Sequence, residues 1–332
     1  MSEAILERPP ERQAVKSAPI VQGEHAADKP PTTFAVVITS YNYRDFVIEA
    51  VDSALAQSRR ATQIIVVDDG STDGSERLLR QRYGAQGRVT LISGVNGGQL
   101  SAFQRGVNAA HADVICFLDS DDRWEPEYLA KLGAFYDTRP DVDFVFSDMQ
   151  VFGAQDRVVR FHESAVDLGY TTISTYLLTQ WYGAPTSALS MRSPWARKAL
   201  DLPESFQRTW RLSADNCLVF GCSMLGAHKY YLPTGCVGYR IHDRNGWWSN
   251  RSPKVEYINK MTSSALIRHY AQRIGIGPEC VEFSKLEFMT KPNPPWSETK
   301  RYVRLVMMRR LSPWRKLERT LQILRRGWKL RG

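Results

Sequence analysis

Five apolar residues, Val114-Ile115-Cys116-Phe117-Leu118, run directly into Asp119-Ser120-Asp121-Asp122. A short apolar run closed by turn formers reads as a strand buried on both faces. Upstream, Ile64-Ile65-Val66-Val67 runs in the same way into Asp68-Asp69-Gly70-Ser71. Phe34–Ile38, Val89–Ile92 and Phe144–Phe146 are further short apolar runs. Between them the spacing turns helical. Phe46, Ala50, Val51, Ala54 and Leu55 share one helical face, and so do Leu100, Phe103, Val107 and Ala110. Asp73 with Glu76 three residues on predicts a capping box opening a helix over Ser75–Tyr83. Strands alternating with helices predict an α/β fold with a mostly parallel central sheet flanked by helices. Ligands of such sheets bind beyond the carboxyl ends of the strands. Two acidic clusters at two such ends therefore point into one crevice. Single acids after strands are often turn formers or caps, which suffices for Asp73. Three acids in four positions repel one another, and a hard divalent cation with oxygen ligands is their natural partner.

Composition narrows the classes. The chain has 332 residues, 43% hydrophobic and 24% charged, enough to bury a core and too apolar for a disordered chain. Apolar runs stop at about five residues, whereas a membrane-spanning helix needs roughly 20. The opening MSEAILERPP lacks the pattern of a secretory signal. Five cysteines, odd in number and without a CxxC pair, read as reduced thiols and not as a zinc site. The first apolar strand is followed by Thr39-Ser40-Tyr41-Asn42, not GxGxxG, and no GxxxxGK[ST], GxSxG or HExxH occurs. Residues 1–33 hold five prolines and no apolar period, the composition of a flexible leader. Residues 151–250 are rich in aromatics, among them Trp181-Tyr182 and Trp247-Trp248, which are suited to stack on sugar rings or to fill a core.

Four motifs in order resemble family 2 glycosyltransferases of the GT-A nucleotide-sugar fold, the inverting, bacterial surface-polysaccharide type. They are Val36-Val-Ile-Thr-Ser-Tyr-Asn42, Val66-Val-Asp-Asp-Gly-Ser-Thr-Asp73, Asn96-Gly-Gly98 and Phe117-Leu-Asp-Ser-Asp-Asp122. The resemblance implies a transfer of sugar from a nucleotide-diphosphate sugar, UDP-linked in the commonest case, to an acceptor hydroxyl. It implies a divalent metal, Mg2+ or Mn2+, and a carbohydrate or lipid-linked saccharide acceptor. Thr39 and Tyr41 would line the base pocket, and Asp68 or Asp69 would accept a hydrogen bond from base or ribose. Asn96 and Gly98 would precede the helix over the nucleotide, with Arg105 standing where the family often has an Ala-Arg-Asn. Asp119 would face the ribose and Asp121 the metal. Asp122 would be a second ligand or a hydrogen-bonding support. Further on, Ser213-Ala-Asp215 resembles the family's acceptor-side acid, with Asp215 as general base or, alternatively, as a helix cap. Tyr239-Arg240-Ile-His242 resembles its Tyr-Arg-x-His segment, with His242 completing the metal shell or touching the diphosphate. Pro185-Thr-Ser187 also resembles a family segment, with no chemistry assigned to it. Residues 34–150 would then bind the nucleotide sugar, 151–250 the acceptor, and 251–332 form a helical basic extension. A nucleotide-sugar scaffold without turnover and a metal-dependent phosphoryl-transfer enzyme or hydrolase are the competing classes.

The net charge of +9 belongs to the tail. Residues 300–332 carry twelve Lys and Arg against the single acid Glu318. Leu317, Leu321, Leu324 and Trp328 fall on one helical stripe with cations around it. That pattern suits a helix lying in an anionic membrane surface; packing on the body is the alternative. Nucleic-acid binding has no recognition motif to support it. The expected location is cytoplasmic, peripheral at the inner face of the cell membrane.

Overall fold

A computed structural model describes residues 30–85, 87–243, 252–309 and 311–329. The expected leader, 1–33, lies outside them apart from its last four residues, as do Trp247, Trp248, Arg310 and Arg331. The strands are β1 Phe34–Ser40, β2 Gln63–Asp68, β3 Val89–Ser93, β4 Val114–Asp119, β5 Arg123–Trp124, β6 Phe144–Phe146, β7 Met149–Gly153, β8 Arg157–Val159, β9 Val166–Gly169, β10 Leu189–Arg192, β11 Lys229–Tyr231 and β12 Val237–Ile241. The helices are α1 Val47–Leu55, α2 Ser75–Tyr83, α3 Gln99–Ala109, α4 Tyr128–Thr138, α5 Thr172–Leu178, α6 Ser193–Leu200, α7 Ser205–Thr209, α8 Asp215–Met224, α9 Pro253–Arg273, α10 Ser284–Met289, α11 Trp296–Met308 and α12 Pro313–Lys329.

Eight strands form the central sheet in the order β3-β2-β1-β4-β10-β6-β11-β9. It is mostly parallel, with β10 and β9 reversed. Strands from 34–150 and from 151–250 thus share one sheet, and one core cluster runs from Phe34 to Ala271. The chain winds outward from β1 to β3, then crosses back to lay β4 on the other side of β1. Such a reversal opens a crevice at the strand ends. Register fixes what faces it. Thr39 pairs with Val67 on one side and Asp119 on the other, and Ser40 pairs with Asp68. Neighbouring strands lie about 4.8 Å apart, so the β2 and β4 ends are separated by roughly 10 Å. A smaller sheet, β5-β12-β7-β8, carries Ile241 to its end, beside which His242 follows.

The helix at Ser75–Tyr83 forms without the expected capping box. Gly74, at φ 87°, takes the N-cap position, and Glu76 pairs forward with Arg80. Asp73 accepts the Ser75 and Arg44 backbone N–H groups instead, both at 2.9 Å, tying this turn to the loop after β1.

In the tail, α12 does two things at once. Ile323 is fully buried in a second apolar cluster with Phe288, Tyr302, Leu305 and Val306, and a Cβ at Gly327 would touch Thr299. Its other face leaves Trp314, Leu317, Leu321 and Trp328 exposed. Not all of the basic tail faces water: Arg309 is buried against Glu282, and Arg301 pairs with Glu298. Glu287 accepts the Ile173 and Ser174 N–H groups at 2.7 and 3.0 Å, stapling this region to the start of α5.

Gly106 on α3 faces Val37 of β1, where a Cβ would lie 2.4 Å from Cγ1. Val37 is fully buried in the central strand and has no room to turn. Gly106→Ala is expected to lower unfolding stability by about 1–2 kcal/mol, because the clash outweighs the helix propensity gained. Urea denaturation reads it; equal or greater stability would show that α3 does not pack this closely.

Candidate active site

One cavity of about 1060 Å³ opens at the strand ends. Of the residues singled out from sequence, Thr39, Tyr41, Asp69, Asn96, Gly98, Asp119, Asp121 and Asp215 line it. Asp68, Arg105, Asp122 and His242 stand behind that lining. The four take different parts. Asp68 Oδ1 accepts the Ser71 N–H at 2.9 Å, closing the turn after β2, while its Oδ2 is buried without a hydrogen-bond partner. Arg105 turns its guanidinium onto Asp69.

Asp69 works as a clasp. Its carboxylate accepts the N–H groups of Gly97 at 3.0 Å and Gly98 at 2.7 Å, while Arg105 offsets its charge. Gly98 sits at φ 86°, and a Cβ there would meet the Arg211 backbone at 2.7 Å. Only glycine allows this turn and this approach. The segment before α3 is thereby pinned between β2 and the loop before α8.

At the end of β4 each acid has its own holder. Ser187 Oγ accepts the Asp119 N–H at 3.0 Å and donates to Asp122 Oδ2 at 2.6 Å. The Arg240 N–H donates to Asp122 Oδ1 at 2.7 Å. Both Asp122 oxygens are therefore engaged by protein donors, the geometry of a support. Arg240 Nε donates to the Asp121 carbonyl at 2.8 Å, and its far end reaches Glu49 at 2.5 Å. His242 Nε2 lies 3.1 Å from Asp121 Oδ2, with its ring stacked on Phe46 at 4.8 Å. Burial, then the charges of Asp121 and Asp215, push the Asp119 carboxyl up to about 8. Burial, then Asp121 and Asp119, push Asp122 up as well.

That crowding is the test of whether a cation fits. No group of three or more His, Cys, Asp or Glu arranged to hold a metal occurs among the described residues. Cations of the Mg2+ type commonly take one or two carboxylates and complete their shell with substrate phosphates and water. Asp121, beside His242 and against a wall of mutually repelling acids, fits that pattern of few protein ligands and shared substrate oxygens.

Asp215, the first residue of α8, lines the same cavity. Its Oδ1 accepts the Asn216 N–H at 3.0 Å, and burial pushes its carboxyl up to about 6. Ser213, two residues earlier, adopts φ 56°.

Residues 35–193 match the sequence model of glycosyl transferase family 2. An uncharacterized glycosyltransferase of Nostoc sp., alr2836, is 31% identical over 252 residues, which cover 73% of this chain and 77% of that one. The chain belongs to glycosyl transferase family 2. The succinoglycan biosynthesis protein ExoO of Rhizobium meliloti is 26% identical over 253 residues, covering 74% of this chain and 71% of that one. Among solved structures, S. aureus TarS 1–349 in complex with UDP-GlcNAc superposes with a TM-score of 0.51 at 14% identity, over 90% of this chain and 73% of that one. That likeness supports the GT-A fold.

Two residues of this family 2 glycosyltransferase carry more of the site than their sequence context shows. Ser187 is the latch between Asp119 and Asp122, and its carbonyl accepts the Trp124 indole N–H at 2.8 Å. Gln99 spans the cavity floor. Its Nε2 donates to Asp119 Oδ1 at 3.1 Å, and its Oε1 accepts the Ala214 N–H at 2.8 Å, beside Asp215. Their partners lie 65 or more residues away for Ser187 to Asp122, and 115 for Gln99 to Ala214. No local pattern announces them.

Gln99→Ala removes the link between Asp119 and the Asp215 loop. A hydrogen bond to a charged group of this kind corresponds to about tenfold to hundredfold in turnover. Turnover is expected to fall by that range while the thermal midpoint moves only slightly; unchanged turnover would show the bridge to be incidental.

Proposed function

We propose that this glycosyltransferase moves a sugar from a UDP-sugar to a hydroxyl of a saccharide acceptor, inverting the anomeric carbon, in bacterial polysaccharide synthesis. One observation carries the reading. Asp215 lines the same cavity as Asp69, Asp119 and Asp121. ExoO is a succinoglycan biosynthesis protein and TarS binds UDP-GlcNAc, which favours the pathway class and the nucleotide.

Tyr41 is about half exposed at the rim and Thr39 lies at the floor, so both are placed to receive a base. Asp121 and His242 would hold Mg2+ or Mn2+. That cation would supply Lewis-acid stabilisation of the charge growing on the departing diphosphate. Asp119, braced by Gln99 and Ser187, is oriented toward the ribose. An acceptor hydroxyl is a weak nucleophile, and Asp215 takes its proton as the new bond forms. Base and leaving group on opposite faces of the sugar produce inversion. With its carboxyl raised to about 6, Asp215 is ionised above that pH and inactive as a base below it.

The assay follows UDP release and sugar transfer with a panel of UDP-sugars and saccharide acceptors. Asp215→Asn is expected to reduce transfer by about 10²–10⁴-fold with donor affinity kept. Wild-type kcat is expected to fall about tenfold per unit as pH drops below about 6. Near wild-type transfer by Asp215→Asn, or a flat profile across that pH, would sink the base assignment. Free sugar without transfer would favour hydrolysis.

We also propose that α12 seats the enzyme on an anionic membrane surface. No helix among the described residues is long and apolar enough to cross a membrane. The exposed Trp314, Leu317, Leu321 and Trp328 face outward, with Arg315 and Arg325 exposed on the same helix. Each cation near such a surface contributes about 1 kcal/mol, less in salt. Phosphatidylglycerol vesicles should sediment the wild type, and phosphatidylcholine vesicles should not. A Leu317→Glu, Leu321→Glu double variant should weaken sedimentation at least tenfold; unchanged sedimentation would remove α12 from the membrane contact.

A further inference from the structure

Glu49 stands in the first turn of α1, behind the cavity lining. Its carboxylate is shared by two guanidinium groups. Oε1 accepts from Arg123 Nη1 at 2.8 Å, and Oε2 accepts from Arg240 Nη2 at 2.5 Å. Both arginines lie over one ring, each Cζ 4.4 Å from the centroid of Phe152. Strand pairing puts them there. Arg240 is opposite Phe152 on the β12–β7 ladder, and Arg123 is opposite Gly238 on the β12–β5 ladder. Two cations on one ring repel, and the shared carboxylate offsets both.

Of the two arginines, Arg240 reaches the strand-end acids. Its Nε donates to the Asp121 carbonyl at 2.8 Å, and its backbone N–H donates to Asp122 Oδ1 at 2.7 Å. Two residues on, His242 Nε2 lies 3.1 Å from Asp121 Oδ2. The His242 ring stacks on Phe46 at 4.8 Å and 27°, and the Arg240 guanidinium lies 5.0 Å from the same Phe46 ring. Phe46 precedes Glu49 by three residues, so both project from one turn at the start of α1. That turn meets the segment Arg240–His242 twice, once through a ring and once through a carboxylate.

We propose that Glu49 is a positioning residue for the pair Asp121 and His242, acting through Arg240. An arginine side chain is rich in rotamers. Aromatic faces fix the plane of this guanidinium. Glu49 fixes its far end, and so keeps Nε on the Asp121 carbonyl. Without the carboxylate, Arg240 stands uncompensated beside Arg123 and loses that hold. The backbone carrying Asp121, and with it the Asp121–His242 distance, is then free to shift. Groups that orient metal ligands from behind typically change metal affinity about 10–100-fold when removed. Glu49 is one residue further back, so a smaller effect follows. The proposal rests on Asp121 and His242 being the cation-holding pair.

Calorimetric titration of UDP into the full chain, with and without Mn2+, reads the factor by which Mn2+ tightens UDP binding. Glu49→Gln keeps the side chain's shape and loses its charge. It should cut that factor about threefold to tenfold, while UDP affinity without Mn2+ stays within about twofold. Because Glu49 is partly exposed, the thermal midpoint should move by no more than about 3 °C. Arg240→Gln should cut the factor at least as far, and adding Glu49→Gln to it should change little, since both losses follow one path. Arg123→Gln leaves Glu49 with Arg240 and should stay within about twofold of the wild type. An unchanged factor in Glu49→Gln, a parallel loss of UDP affinity without Mn2+, additive losses in the double variant, or an equal loss in Arg123→Gln overturns the proposal. A wild type whose UDP affinity ignores Mn2+ overturns the cation assignment and this proposal with it. A factor lost in Asp121→Asn but kept in Glu49→Gln removes Glu49 alone, so the two failures are told apart.

Discussion

Carboxylates crowded at the end of one buried strand are the constraint on which this structure depends. Asp119, Asp121 and Asp122 fall within four consecutive positions, Asp121 and Asp122 buried and Asp119 partly so. Charges so placed repel, and burial penalises each. The fold answers with a partner for each acid: Ser187 and the Arg240 N–H for Asp122, Gln99 for Asp119, His242 for Asp121. Those partners come from β10's leading turn, from β12 and from α3. The sheet order that brings these elements together is therefore also what makes the acidic cluster tolerable.

The same logic links the elements around the cavity. Asp69 fixes the Asn96–Gly98 segment, Gly98 admits the Arg211 backbone, and Gln99 reaches from there to Asp119 and to the Asp215 loop. Hydrogen bonds thus join the loop after β2, the start of α3 and the Asp215 loop. Helices α8 and α9 pack together, Glu287 ties the C-terminal helices to α5, Glu298 ties them to Tyr182, and Lys291 donates to the Leu168 carbonyl of β9. The basic extension is thus part of the scaffold on its inner face, whatever its outer face meets.

Much of this was legible because it is local. Apolar runs such as Val114–Leu118, followed at once by acids, announce both a strand and the edge where its ligand sits. The helical spacing of Leu100, Phe103 and Val107 places α3 nearly residue for residue. What escaped depends on partners far along the chain. Glu76 had Arg80 available as well as the helix start, and took Arg80. Arg105 was read toward the ligand because nothing near it shows that Asp69 is its partner. Ser187 and Gln99 act through contacts that only the folded sheet creates. The tail suits two readings: α12 packs on the body through Ile323, and its exposed apolar face is the one the proposed membrane contact would use.

We propose that the strand-end acids, with Asp121 foremost, hold a cation against a nucleotide diphosphate. Calorimetric titration of UDP into the wild type and into Asp121→Asn, with and without Mn2+, tests it most directly. Mn2+ should tighten UDP binding at least tenfold in the wild type and have little effect in the variant. UDP affinity that ignores Mn2+ in the wild type, or a variant that responds to Mn2+ as fully as the wild type does, would contradict the account.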